Sequence, residues 1–247
     1  MSLNQNLIAS PAEREQRVAV KRHAVLRFLR QHLWSTRDIL QEVMKLGSRQ
    51  AAHRMLVRLE QDGLLNRHLI SAVGGNLTIW GITPHGQGMA FNPQSEAPVL
   101  AYFEPSKVSE QRLRHQLDTQ RLRLAAEKAG WTNWTDGDRL GAGSKDVKRP
   151  DAIAIDCAGV KTAIECERTL KTSKRYEKIL VSYLQSIKSG TIGRVVWVSP
   201  DTNVSLRVRT IITGIHSVSV AGQRVQIDPQ RHHAGLVFTD YAQWPHV

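Results

Sequence analysis

RPDAIAIDCAGVKTAIECE, residues 149–167, decides the fold of this 247-residue chain. Apolar residues alternate with others on both sides of the short segment 157–160, a pattern typical of two strands joined by a turn. Asp151 begins the first strand. Glu165 and Glu167 end the second strand and share one face, because they are two residues apart. Pairing of the two strands predicts that Asp151 lies beside the glutamates.

The three carboxylates predict a metal site. Carboxylates at adjoining strand ends repel one another unless a cation neutralises them, and an all-oxygen site suits Mg²⁺ or Mn²⁺. Such an ion can activate water and hold a scissile phosphate. We therefore expect Asp151, Glu165 and Glu167 to be metal ligands and catalytic residues of phosphodiester cleavage. The alternative is that Asp151 caps a strand and that the glutamates are solvated charges at the sheet edge.

The composition favours a nucleic-acid partner. The chain has 34 Lys and Arg against 22 Asp and Glu, a formal net charge of +12, and such a field attracts polyanions. Its two cysteines and scattered histidines show no zinc-ligand spacing. No signal-peptide pattern begins the chain, and no apolar run approaches the ~18 residues of a membrane span. The sequence predicts a cytoplasmic protein of one large or two modest domains, with no membrane partner.

Residues 20–92 resemble a winged helix-turn-helix domain. Three helical patterns follow one another, and Ser48 and Gly63 are placed to begin and end the third. Two β-like runs, residues 64–72 and 77–83, are joined by a glycine-containing segment that suits a hairpin. In this fold the third helix reads DNA. The first twenty residues are polar, and we expect them to fray.

The solvent face of the third helix carries side chains that read guanine and adenine edges or contact phosphates. The alternatives are a solvated helix face and a domain that contacts only proteins. The predicted DNA-binding residues of this region are Arg49, Gln50, His53, Arg54 and Arg58, with Arg67 on the wing.

Prolines and polar residues at 93–107 predict a linker, and residues 108–247 then form the second domain. This half opens with a helix at 110–129 that is apolar on two sides, as expected for a helix packed between layers. Glu127 and His115 on this helix are possible additional active-site residues. The alternative is that Glu127 is a surface charge and that His115 is a packing residue.

Pro150-Asp151 followed by Glu165-Cys166-Glu167 resembles the PD-(D/E)xK signature of restriction-endonuclease-like folds. The resemblance implies an α/β core made of a helix, three antiparallel strands, a crossover helix and a further strand. The predicted elements follow that order: helix 110–129, strands near 134–140, 150–156 and 161–167, helix 172–188 and strand 193–200. Glu167 departs from the signature, because it stands where a lysine is expected.

A second resemblance covers most of the chain. The winged-helix pattern, HQL in the helix at 110–129, and the run RPDAI…AIECERTLK…RYEKIL…YL are similar to the MobC-class plasmid mobilisation relaxases of the replication-relaxation group. This resemblance implies a divalent-metal-dependent enzyme that nicks one strand of double-stranded DNA at a plasmid transfer origin. Asp151 and Glu165 map onto the catalytic acids of that class, with Glu167 and Lys178 as further active-site positions. Accessory mobilisation and coupling proteins are the other implied partners.

The helix after the acids is basic, and Lys178 is predicted to stabilise charge at the phosphate in place of the missing lysine. Its alternative is a solvated lysine or a phosphate contact. Water is the expected nucleophile, and Tyr176 and Tyr183 are the candidates for a phosphotyrosine route. The predicted DNA-backbone contacts of this half are Lys148, Arg149, Arg168 and Lys174.

Two other functions stay open on the sequence alone. One is another PD-(D/E)xK endonuclease of the restriction or transposon-end type. The other is a non-catalytic DNA-binding regulator of replication or transcription that keeps the nuclease fold without its activity.

Overall fold

The computed structural model describes residues 10–72, 75–94, 101–140 and 148–246. The chain divides into two compact units, residues 1–117 and 118–247. Both units contain helices and a sheet, so the protein is a two-unit α and β structure. The elements of the first unit are α1 (Pro11–His32), β1 (Trp34–Thr36), α2 (Arg37–Val43), α3 (Arg49–Gln61), β2 (Leu65–Ala72), β3 (Gly75–Ile82) and α4 (Pro84–Ala90), and α5 (Glu110–Lys128) crosses the division.

The first helix begins earlier than the polar composition of the N-terminus predicts. Ser10 accepts a hydrogen bond from the Glu13 backbone N–H, and the Glu13 side chain accepts one from the Ser10 N–H. This capping box satisfies two backbone donors that a helix start leaves without partners, and Pro11 suits the first helical position. The expectation of fraying is therefore wrong from Pro11 onward.

Helix α3 has the ends that the sequence predicts. The Ser48 hydroxyl accepts a hydrogen bond from the Ala51 N–H at 3.3 Å, and Gly63 follows the helix with a φ of 70°. Strands β2 and β3 then pair antiparallel and form a three-stranded sheet in the order β1-β3-β2. The register pairs Ala72 with Gly75, while the predicted turn residues 73 and 74 lie outside the described residues.

The second unit is built on a five-stranded mixed sheet in the order β10-β7-β6-β5-β4. Neighbours β4, β5 and β6 are antiparallel, whereas β6, β7 and β10 are parallel. A long helix connects β6 to β7, as parallel neighbours require. The elements are β4 (Thr132–Asp136), β5 (Ala152–Ile155), β6 (Lys161–Cys166), α6 (Ser173–Lys188), β7 (Arg194–Ser199), α7 (Thr202–Thr213), β8 (Ser217–Val220), β9 (Gln223–Gln226), α8 (Pro229–His232) and β10 (Leu236–Asp240).

The two faces of this sheet have separate cores. Ala152, Ile164 and Cys166 pack on the face covered by the second half of α5. Ala163 and Trp197 pack on the opposite face, which α6 and α7 cover. Since side chains alternate along a strand, Glu165 and Glu167 belong to the α6 face. Among the described residues no helix is both long and apolar enough to cross a bilayer.

Candidate functional site

The pairing of β5 with β6 places Asp151 against the end of β6. Ala152 stands opposite Ile164, and the Asp151 N–H donates to the Ile164 carbonyl at 3.0 Å. The Cys166 N–H in turn donates to Asp151 Oδ2 at 2.8 Å. These bonds fix the Asp151 carboxylate beside Glu165, where its negative charge acts on the Glu165 carboxyl. The strand pairing expected from the alternating pattern is confirmed.

Both glutamates lie inside the protein. Glu165 and Glu167 each expose only 3% of their surface. Neither is therefore a solvated charge at the sheet edge. Desolvation of a carboxylate costs on the order of several kcal/mol. A buried carboxylate therefore needs hydrogen bonds or opposite charges. The partners of each glutamate consequently define the chemistry of the site.

Glu165 is held by one tyrosine and one lysine. The Tyr183 hydroxyl donates to Glu165 Oε1, and the Lys148 ammonium lies 2.6 Å from the same oxygen. Burial raises the pKa of the Glu165 carboxyl above its usual value, and the charge of Asp151 raises it further. Lys148 and Tyr183 oppose this rise, because both interact favourably with the ionised carboxylate.

Glu167 is held by a second tyrosine and a second lysine. Its carboxylate forms an ion pair with Lys171, four residues further along the chain. The Tyr176 hydroxyl lies beside Glu167 and accepts a hydrogen bond from the Lys171 N–H at 3.3 Å. The Glu167 backbone N–H donates to the Val198 carbonyl at 2.9 Å. Glu167 is thus anchored through both its backbone and its side chain.

The two tyrosines act on the glutamates as buried phenols. Tyr176 is fully buried and Tyr183 exposes 2% of its surface. Burial, followed by the charge of the neighbouring glutamate, raises the pKa of each hydroxyl above its ordinary value. A phenol that retains its proton inside the protein is a poor nucleophile. Both hydroxyls thus lie against a buried glutamate, Tyr176 beside Glu167 and Tyr183 beside Glu165.

Lysine positions differ from the sequence-based prediction. Lys178 lies on the exposed side of α6, and among the described residues it forms no ion pair with either glutamate. Lys148 and Lys171 contact the acids instead. Lys148 was predicted to contact the DNA backbone, but its side chain is only 28% exposed and points to Glu165. No signal in the sequence separated Lys148 from the other basic residues near the acids.

Arg168 also differs from its predicted role in DNA contact. It forms an ion pair with Asp118, whose side chain is 8% exposed. Asp118 additionally accepts a hydrogen bond from the Tyr241 hydroxyl at 2.9 Å, and that hydroxyl lies 3.2 Å from Cys166 Sγ. This network ties α5, the end of β6 and the C-terminal segment together. Arg168 is therefore held within this network, and its contact with DNA stays a prediction. Arg149 and Lys174 are exposed, as DNA contact requires.

Of the two additional candidates on α5, Glu127 has an ordinary environment. Glu127 pairs with Arg123 at 2.7 Å, one helical turn away, with a side chain that is 41% exposed. This is a surface ion pair of the kind that contributes little to stability or chemistry. His115 is half-buried and belongs to the first unit.

The predicted reading face of α3 is open to solvent. Ala52, Leu56 and Leu59 are buried beneath it. Arg67 on β2 lies 3.7 Å from Glu60 and 5.8 Å from the centre of the Trp80 ring, and half of its side chain stays exposed. The exposed residues of the predicted reading face are Arg49, Gln50, His53, Arg54 and Arg58.

Of the three acids, Asp151 and Glu165 lie next to each other. Within the described ranges, no three His, Cys, Asp or Glu side chains come together in a way that could hold a metal ion. Asp151 and Glu165 form the adjacent pair, and Glu167 is engaged by Lys171.

Comparison with known proteins gives one match. A family model described as replication-relaxation matches residues 26–195, about two thirds of the chain. The matched range includes α3, all three acids and both lysines that contact them. Searches of curated proteins and of solved structures give no match.

Proposed function

Since the chain belongs to the replication-relaxation family, we propose that it is a divalent-metal-dependent nickase that cuts one DNA strand at a plasmid transfer origin. The family indicates a role with DNA in plasmid replication or mobilisation. The observation that supports cleavage is the pair formed by the half-buried Asp151 and the buried Glu165, which lie beside each other where two paired strands meet. Two adjacent acids in a protein interior are unfavourable unless a cation joins them.

The donor set fits Mg²⁺ or Mn²⁺. These ions prefer oxygen ligands, and Mg²⁺ in particular is often bound by one or two carboxylates while water and substrate phosphates fill the remaining positions. Asp151 and Glu165 would hold the ion, and Glu167 stays a predicted third ligand whose carboxylate Lys171 now occupies. When bound, the ion would activate water and polarise the scissile phosphodiester.

The other residues of the site orient these ligands. The Cys166 N–H fixes one oxygen of Asp151, and Tyr183 and Lys148 both fix Oε1 of Glu165. Water is the proposed nucleophile, because Tyr176 and Tyr183 are buried and their hydroxyls are engaged with the glutamates. A ligand carboxylate held by second partners keeps its geometry when the substrate arrives.

DNA recognition is assigned to the first unit. The element order and the exposed basic face of α3 support a winged helix-turn-helix at residues 20–92, joined by the segment 93–107 to a PD-(D/E)xK-like core at 108–247. Arg and Gln on α3 would read base edges, while Arg149 and Lys174 would contact phosphates near the acids. Double-stranded DNA is thus the main partner, with accessory mobilisation and coupling proteins as further ones.

A second candidate function is a DNA-binding regulator without catalysis. One observation favours it: each buried glutamate already has a lysine partner, so the charges are balanced without any ion. Another endonuclease of the same fold, of the restriction or transposon-end type, is the third candidate. The three differ in whether DNA is cut and in how cutting depends on the origin.

The test is cleavage of a supercoiled plasmid with and without its own transfer origin, in Mg²⁺, Mn²⁺ or EDTA. The proposed nickase converts only the plasmid that carries the origin to the open-circular form, and EDTA stops the reaction. Asp151→Asn, which keeps the size of the side chain, binds the plasmid but does not cut it. Binding without cutting by the wild-type protein supports the regulator, and origin-independent double-strand cleavage supports a restriction-type enzyme.

A further inference from the structure

Lys148 is fixed at both ends. Its backbone N–H donates to the hydroxyl of Ser182 on α6 at 2.8 Å, and Ser182 is buried. Its ammonium donates to Glu165 Oε1 and to the Arg149 carbonyl, each at 2.6 Å. A lysine side chain loses much conformational entropy when it is held in this way, so the surrounding contacts must favour one position strongly. These contacts therefore hold Lys148 in one position between α6 and Glu165.

An ammonium group has three N–H donors. Glu165 and Arg149 accept two of those of Lys148, and among the described residues the third has no acceptor. This third donor lies next to the Asp151–Glu165 pair, because the ammonium already contacts Glu165. A phosphate held at the acid pair would place a non-bridging oxygen within reach of it.

Lys171 provides the contrast. It binds its glutamate from four residues away on the same segment, whereas Lys148 reaches Glu165 from 17 residues away. The charge of Asp151 acts on the Glu165 carboxyl, to which Lys148 is paired, whereas Lys171 is paired to Glu167. Within the described part of the chain, Lys148 is the lysine that forms an ion pair with the glutamate beside Asp151.

From this geometry we infer that Lys148 is a catalytic residue of the proposed cleavage site: its ammonium keeps Glu165 in place and contacts a non-bridging oxygen of the scissile phosphate. The inference rests on the proposed nicking function. Negative charge on the non-bridging oxygens must be stabilised in the transition state, and a donor already in position does so without reorganisation. Glu167, at the strand position where a lysine would otherwise stand, is itself an acid and cannot supply this charge.

The experiment compares Lys148→Met with the matched variant Lys171→Met. Removing one preorganised donor lowers nicking by about 10²–10³-fold, so Lys148→Met should lose this much under single-turnover conditions. Its affinity for the plasmid should change little, because one contact among many is lost. Lys171→Met should nick at close to the wild-type rate, measured well below its melting temperature. Mn²⁺ alone should still raise the melting temperature of Lys148→Met, but not that of Asp151→Asn.

A chemical rescue covers the case in which Lys148→Met folds poorly. Lys148→Cys treated with 2-bromoethylamine regains an ammonium at the same distance from the backbone, and nicking should return. Wild-type protein treated in the same way is the control, because Cys157 is exposed and reacts as well.

Three outcomes contradict the inference. Lys148→Met that nicks as fast as the wild type removes any catalytic role, and so does Lys171→Met that loses as much activity as Lys148→Met. Failure of the rescue in folded, aminoethylated protein does the same. If the wild-type protein never nicks DNA in any metal, the proposed function itself is wrong, and the role of Lys148 falls with it.

Discussion

The two glutamates at the end of β6 are held in similar ways and differ in one neighbour. Glu165 and Glu167 lie two residues apart and are equally buried. Each has one lysine partner from outside α6 and one tyrosine partner on α6. Burial raises the pKa of the Glu165 carboxyl, and the charge of a second acid, Asp151, raises it further. Two glutamates with similar partners thus differ in that Glu165 also lies beside a second carboxylate, that of Asp151.

This difference shows where function separates from stability. A buried glutamate with one lysine partner is a structural ion pair, and breaking it destabilises the fold. A buried glutamate that shares its environment with a second carboxylate is an unfavourable arrangement, which a divalent cation relieves. Perturbed carboxyl groups of this kind are concentrated at functional sites. The four predictions below test this contrast.

The largest expected effect separates the two glutamates directly. Glu165→Gln should lower nicking by about 10³-fold or more, since loss of several kcal/mol of metal-derived stabilisation corresponds to that factor. Glu167→Gln should lose far less activity, because its carboxylate already serves Lys171. Single-turnover nicking of supercoiled plasmid measures both, with circular dichroism as the control for folding. Equal losses in the two variants would show that Glu167 is a third ligand.

Next in size is the loss of the tyrosine hydroxyls. Tyr183→Phe and Tyr176→Phe each remove a hydrogen bond to a buried carboxylate, which should lower the free energy of unfolding by about 1.5–3 kcal/mol. Urea denaturation measures this loss. Both variants should still nick, and no covalent protein–DNA adduct should form with the wild type. An adduct that disappears in one of the two phenylalanine variants would identify that tyrosine as the nucleophile.

A smaller effect concerns pH. The pKa of Glu165 is raised in the folded protein, so the folded state binds this proton more tightly than the unfolded state. The contribution of Glu165 to stability is therefore greatest below the ordinary glutamate pKa and is lost as pH rises through the raised value. Denaturation at a series of pH values, without metal, should show this decline in the wild type and a flatter curve in Glu165→Gln. Identical curves would mean that Lys148 fully offsets the rise in the Glu165 pKa that burial and Asp151 cause.

The smallest effect is expected at the exposed lysine of α6. Lys178→Ala should change nicking and stability little, because exposed charges without an ion pair contribute roughly 0–1 kcal/mol. Nicking assays at low and moderate salt distinguish a phosphate contact, whose loss matters more at low salt. A loss as large as that of Lys148→Met would return the catalytic role to Lys178.

Much of the fold was predictable because it depends on local patterns. Alternation in the stretch 149–167 placed the acids on one sheet face, and Ser48 and Gly63 marked the ends of α3. The order of helices and strands in the second unit follows the predicted order. The early start of α1 was missed, although the Ser10–Glu13 capping box is visible in the sequence.

The partners of the charged residues were not predictable. Sequence alone presents Lys148, Lys171 and Lys178 as similar basic residues, and only the structure shows which two contact the glutamates. Arg168 likewise pairs with Asp118, which lies 50 residues earlier. Such ion pairs join segments whose separation along the chain carries no periodic signal.

The sequence by itself determined the strands, the helix caps and the shared face of the three acids. These features follow from backbone geometry, which repeats every two residues in a strand and every turn in a helix. The tertiary structure decided that Lys148 contacts Glu165 and that Lys171 pairs with Glu167. Long-range contacts depend on how whole elements pack, so the charge balance of the acids is set only when the sheet and α6 come together.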